Sequence, residues 1–273
     1  MTFIRTLLLF LPLTNQSNAF SSANSPAPRR KGLLRRITGE STPYNFPCRE
    51  IPFKKSWPTE NPFSSSDFSR LDYYNDGIFY TLPRIVYHID EPAVVALTQY
   101  YRNAISPKSD ILDVCSSWVS HFPIDFPAIM KSISATGMNV LELALNDQLT
   151  AGYQVLDMNA PNATLPYADN SMDVVTCACS IQYMISPIDF LKECHRVLRP
   201  QGKVILAFSN RCFGLKATKI WRSSRNDRHV EFLNGFFQYA GGFDSRKAFD
   251  ITASCSQEKY QDPMIVIEAI KTE

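Results

Sequence analysis

With 273 residues, 45% of them hydrophobic and 12% aromatic, the chain has material for a sizeable core, which excludes disorder throughout. Its formal net charge of +2 is unevenly placed: the first 39 residues hold six basic side chains (Arg5, Arg29, Arg30, Lys31, Arg35, Arg36) and no acid. Removing those six from the 28 basic residues leaves 22 against 26 acids, a balance of −4, so no strong positive field remains to attract nucleic acid.

At the N-terminus, Arg5 precedes the apolar run Leu7 to Leu13, which is too short to span a bilayer and is interrupted by Pro12. Ser17 and Ala19 are the small residues a signal peptidase prefers, and they place a signal peptide over 1–19. The following "FSSANSPAPRRKGLLRR" is Ser-rich, basic and acid-free, as in a transit peptide, which fits 20–40. The pair resembles the bipartite presequences of algae with secondary plastids, in which Ala-Phe marks the junction. That resemblance implies a plastid destination, with plain secretion into the endomembrane system as the alternative.

Residues 41–90 form an expected extension or lid. Up to about Pro62 it is rich in Pro, Ser and basic residues without period, and regular structure is expected from "SSDFSRLDYY" onward. "FYTLPRIVYHID" then gathers Tyr80, Arg84, His88 and Asp90. Arg84 suits a carboxylate of cofactor or substrate, or equally backbone carbonyls of a docked segment. In "DEPAVVALTQYYRNAI" Asp90 can cap, Pro92 suits the first turn, and Val94, Leu97, Tyr101 and Ile105 keep a helical stripe until Pro107.

From residue 91 to 273 strand-like and helical runs alternate, the pattern of a parallel sheet covered by helices. Strands are expected at Asp110 to Cys115, Ile133 to Met138, Tyr153 to Leu156, Met172 to Cys179 and Lys203 to Phe208. The spacing of Ser186 and Asp189 predicts a capping box for a helix over Pro187 to Leu198, followed by the turn Arg199-Pro200-Gln201-Gly202. "FDITASCS" and "MIVIEAI" read as two antiparallel edge neighbours. The seven cysteines form no C-x-x-C pair, and Cys115, Cys177 and Cys179 sit in apolar runs as buried reduced thiols, so no metal site is expected.

"LPYADNSMDVVTCACSIQYMISPIDFLKECHRVLRPQGKVILAFSN", residues 165–210, contains a Leu-Pro-aromatic turn, a strand, a helix ending in Arg-Val-Leu, a Pro-x-Gly turn and a further strand. In order and spacing this resembles the class I S-adenosylmethionine-dependent methyltransferases that act on small molecules. The resemblance implies an α/β, Rossmann-like, seven-stranded, mostly parallel sheet with an antiparallel edge strand and helices on both faces. It also implies S-adenosyl-L-methionine as cofactor and a small-molecule acceptor. "CSSWVSH" at 115–121 and "FSNRCF" at 208–213 resemble a plastid-associated branch with a variant first cofactor motif.

Carried over position by position, the resemblance places Asp113 at the family's first-strand acid, with Cys115, Ser117 and Val119 where three glycines belong. No glycine lies between Gly77 and Gly137. Ser116 and Ser117 can donate to a carboxylate and Trp118 can cover the adenosyl group. Asn139 stands at the ribose-binding acid, or is a helix cap. Asp157 stands at the adenine-binding acid, or is a turn aspartate, with Met158 against the ring. Cys177 closes the same rim. On the acceptor side stand Tyr80, Arg84 and Arg211, and His229, His88 and His121 are the candidate bases. The implied function is methylation of a small molecule; the alternative is a catalytically silent binding protein of the same fold. A third reading, a nicotinamide-dependent oxidoreductase, is disfavoured because no G-x-G-x-x-G follows a strand.

Overall fold

The computed structural model describes residues 46–253 and 261–273; the signal peptide and transit segment expected at 1–40 lie outside the described residues. The chain opens on β1 (Arg49–Ile51), a 3-10 turn at Ser65–Phe68 and a short α1 (Asp76–Phe79). Asp90 accepts from Ala93 N at 2.9 Å and Pro92 stands in the first turn, so α2 (Glu91–Ala104) starts where its local signals place it. There follow β2 (Asp110–Asp113), α3 (Phe126–Ile129), β3 (Ser132–Gly137), α4 (Val140–Leu145), β4 (Tyr153–Val155) and β5 (Met172–Ala178). A 3-10 turn at Ile181–Tyr183 leads to α5 (Pro187–Val197), β6 (Leu198–Phe208), α6 (Lys219–Arg222), α7 (Asn226–Ala240), β7 (Phe243–Asp250) and β8 (Ile265–Lys271).

The strands form one sheet in the order β1-β7-β8-β6-β5-β2-β3-β4. β6, β5, β2, β3 and β4 are parallel, whereas β8, β7 and β1 are antiparallel additions at one end. This is the expected Rossmann-like sheet with one strand more. β1 belongs to a stretch expected to lack regular structure; its "REI" has no alternation long enough to announce a strand, and pairing with β7 makes it one. Two further expectations are corrected. Ser186 is the N-cap of α5 but its side chain makes no capping bond, so the capping box is not formed. β6 begins at Leu198, carrying the expected turn within its irregular first part, where Gln201 has φ +65°.

Each face of the sheet buries its own core, as two apolar layers require. α5, α6 and α7 cover one face through Leu191, Val197, Trp221, Leu233 and Phe237; α2 and α3 cover the other through Leu97, Tyr101 and Phe126. The segment before the first 3-10 turn belongs to the first core. Trp57 is buried there against Phe63 and Phe232, and a Cβ on Gly235 of α7 would stand 2.7 Å from its ring. Among the described residues no helix is long and apolar enough to cross a membrane.

Candidate cofactor crevice

The chain runs outward from β2 through β3 to β4 and, after returning, from β5 to β6. The switch in strand order therefore falls between β2 and β5, where open sheets of this kind hold ligands beyond the carboxyl ends. Beyond β2, Cys115 takes φ +57°, the left-handed backbone that favours glycine. The loop then lies on β3. Ser116 N donates to Thr136 O at 2.7 Å, and a Cβ on Gly137 would fall 2.3 Å from Ser116 O. Side chains hold the loop: Asn146 Nδ2 donates to Ser117 O and Ser120 Oγ, and Ser120 N donates to Gln148 Oε1. The backbone N–H groups of Ser117 and Trp118 meet no partner among the described residues.

Asp113 lies beneath this loop and faces away from solvent, only 2% exposed. Thr176 Oγ1 donates to it at 2.7 Å, and the Ser116 and Ser120 hydroxyls face the same carboxyl. Burial dominates and pushes that carboxyl up to about 6. Asp113 is thus a support of the loop from below.

A strap from Arg70 to His88 crosses the strand ends. At one end Lys216, 1% exposed, meets Asp76 at 3.0 Å and Asp72 at 3.1 Å, and Arg70 grips both oxygens of Asp76. Burial opposes ionisation of Asp76, but Arg70, Asn159 and Lys216 outweigh it and hold the carboxyl below its usual range. In the middle, Asn139 Nδ2 donates to Tyr80 O at 2.8 Å and Thr81 O at 3.2 Å, while its Oδ1 caps α4. Glu142 accepts from Arg84 N at 2.6 Å and from Ser117 Oγ at 2.6 Å. At the far end Trp118 Nε1 donates to Val86 O at 3.1 Å and its ring leans on Tyr87. Of the two readings of Asn139, the structure displays the cap; Ser117 and Trp118 present their side chains to the strap and their backbone to the crevice.

At the end of β4, Asp157 Oδ1 accepts from Asn159 N at 2.8 Å, a local turn, while its second carboxylate oxygen meets no donor among the described residues. Met158 is buried beside it. Cys177 is fully buried, and the Cys115 sulfur and burial push its thiol up, so it lines the core beneath the rim. Arg84 places its guanidinium over Phe79 at 4.3 Å, with Tyr80 and Phe213 also around it; Nη2 donates to Phe79 O, and Nη1 is buried without a partner among the described residues. Arg211 is paired through Nε with Asp262 at 2.6 Å.

The three histidines separate. His229 is enclosed, stacked 3.8 Å from the Trp221 ring with Nε2 donating to Trp221 O, and burial lowers its pKa. His121 has φ +60°, and burial, with His88 nearby, holds its imidazole down at about 4. His88 is exposed, edge-on to Phe213, and its ring makes no hydrogen bond among the described residues. Only His88 is both open to solvent and beside the strap. Among the described residues no three His, Cys, Asp or Glu side chains are placed to hold a metal ion.

Sequence reasoning missed Glu142, Asn159 and Phe213. Glu142 had a signal, standing three residues after Asn139 in the N-x-x-E spacing of a capping box; here its carboxylate instead joins the strap to the loop.

Residues 127–206 match a family model described as a methyltransferase domain. Among curated proteins, the malonyl-[acyl-carrier protein] O-methyltransferase of Marinomonas is 35% identical over 66 residues, 24% of each chain. The ubiquinone/menaquinone biosynthesis C-methyltransferase UbiE of Geotalea daltonii is 32% identical over 118 residues, 40% of this chain and 50% of that one. The chain spans between a quarter and a half of the length of these relatives. A solved structure from Listeria monocytogenes, assigned to the S-adenosylmethionine-dependent methyltransferases, aligns with TM-score 0.50 at 13% identity, covering 67% of this chain and 100% of that one. Residues 127–206 are thus similar to a methyltransferase domain, and the sheet as a whole shares the fold of the Listeria structure. The part matched by the family model runs from α3 through most of β6 and so includes the ends of β3, β4 and β5.

Proposed function

We propose that the chain is an S-adenosylmethionine-dependent methyltransferase acting on a small, apolar acceptor in the plastid. The observation that carries this reading is the crevice itself. At the switch in strand order, a loop turned by a left-handed Cys115 presents two backbone N–H groups, and the end of β4 an Asp157 oxygen, that meet no partner among the described residues. Those two ends fit the cofactor. The N–H groups of Ser117 and Trp118 would hold its carboxylate, Asp157 would accept the adenine amine, and Met158 would support the ring. The ribose position does not fit in the same way, because Asn139 is already committed.

Bound there, the cofactor supplies the methyl group of its sulfonium. The chain's own part is alignment and exclusion of water by the strap. Where the acceptor has a proton to lose, His88 is the candidate to take it, being open to solvent and edge-on to Phe213. Support for an apolar acceptor comes from the strap and the start of α4, where Ile78, Leu82, Val140 and Leu141 expose large apolar side chains. A relative named for ubiquinone/menaquinone biosynthesis is in keeping with such a substrate.

Titration calorimetry with S-adenosylmethionine and S-adenosylhomocysteine tests the reading: binding of both is expected, and no heat with either overturns it. A radiolabelled methyl-transfer assay against a plastid small-molecule extract then separates an enzyme from a silent binding protein. For the location, residues 1–40 fused to a fluorescent protein are expected to deliver it to the plastid, and secretion of the fusion refutes that part.

A further inference from the structure

One side chain in the crevice joins two helix ends. Asn139 Oδ1 accepts from Leu141 N at 2.9 Å and Glu142 N at 3.1 Å, satisfying orphan donors at the start of α4. Its Nδ2 donates to Tyr80 O and Thr81 O, the carbonyls that leave the end of α1. A side-chain amide has two donor hydrogens and an oxygen with two lone pairs, and all four are in use. The acid that the family resemblance implies at this position reproduces the first pair of bonds and cannot make the second, because a carboxylate accepts only. What the amide adds over the acid is therefore a hold on the strap.

We propose that Asn139 is a positioning residue whose amide latches the middle of the strap across the crevice, so that strap and ribose are alternative partners of one side chain. The cofactor named here rests on the proposed function; the latch itself does not. Glu142 beneath Arg84 N, Trp118 beneath Val86 O and the Lys216 cluster beneath Asp76 keep the strap's two ends in place. Loss of the Asn139 contacts thus frees the middle, residues 77–84. Releasing the latch opens a route to the crevice, and a ligand that takes the amide releases it in turn.

Asn139→Asp in the full chain is the discriminating variant. It retains the α4 cap and sets a carboxylate against two carbonyls. Hydrogen–deuterium exchange of the ligand-free protein is expected to show peptides over 77–84 exchanging about tenfold faster, with β2 and β5 unchanged. Association of S-adenosylhomocysteine, followed by stopped flow, is expected to quicken. Unchanged exchange in the strap overturns the latch, and if dissociation also slows, Asn139 is a ribose ligand instead. Should circular dichroism show Asn139→Asp unfolded, Asn139→Ser, which caps α4 but does not reach both carbonyls, is read by the same exchange criterion. Failure of S-adenosylhomocysteine to bind the wild-type chain overturns the cofactor reading, while strap exchange judges the latch on its own.

Discussion

Replacing Asp113 by Asn is expected to change the pH dependence of stability in a defined window. The carboxyl is buried beneath the loop that follows β2, with Thr176 Oγ1 donating at 2.7 Å and two serine hydroxyls nearby, yet burial outweighs these donors and raises it from 3.8 to about 6. Between those values the folded chain keeps a proton that the unfolded chain has released, so stability falls as pH rises. The contribution is fully present below pH 3.8 and lost by about pH 6. A shift of roughly two units corresponds to about 3 kcal/mol. Asparagine keeps the shape and does not ionise, so the variant lacks this loss. Urea unfolding of both proteins from pH 4 to pH 7 isolates the effect, because other titrating groups cancel in the difference. The variant's stability relative to wild type should climb by about 3 kcal/mol across the window and level off above pH 6.5 or so. A difference that stays flat with pH would refute the argument that the carboxyl is desolvated without adequate compensation.

Asp157→Ala is expected to weaken S-adenosylhomocysteine binding by about 1 to 3 kcal/mol in calorimetry, and an unchanged affinity would remove Asp157 from the site. Lys216→Met leaves Asp72 and Asp76 with Arg70 as their remaining cation, so a loss of about 3 kcal/mol or more is expected in urea unfolding; a loss under 1 kcal/mol would show the cluster to be dispensable. Gly235→Ala normally favours a helix by about 1 kcal/mol, but here the added Cβ meets the Trp57 ring and the change is expected to destabilise by about 1 to 3 kcal/mol. In a Trp57→Ala background the same substitution should turn stabilising, and persistence of the penalty would place the clash elsewhere.

What the sequence disclosed followed the range of the forces involved. α2 was legible because Asp90, Pro92 and the apolar stripe all act within a few residues of one another. The central parallel strands were legible because strands buried on both faces are continuously apolar. β1 was not, since a three-residue edge strand exists only through its partner, β7. In the crevice, sequence placed Asp113, Asn139 and Asp157 at consecutive strand ends, and the structure puts them there with three different occupations. Asp113 supports the loop from below, Asn139 spans two helix ends, and Asp157 has one oxygen in a turn and one that meets no donor among the described residues. Those differences depend on the strap, whose contacts lie some 60 to 140 residues away along the chain and leave no local pattern. His229 looked like a base because its residue type is suited to that task; only the stacked indole of Trp221 shows that it is enclosed.

The short strand ending at Ile51 has a bearing on how the molecule avoids its own kind. Without it, β7 would end the sheet as a row of bare amide and carbonyl groups, a ready template for another chain's strand. By pairing three of its own residues with Ala248, Phe249 and Asp250, the polypeptide shields that stretch of the edge from within. A product trimmed past Ile51 should therefore associate edge to edge, and its tendency to assemble should rise with concentration.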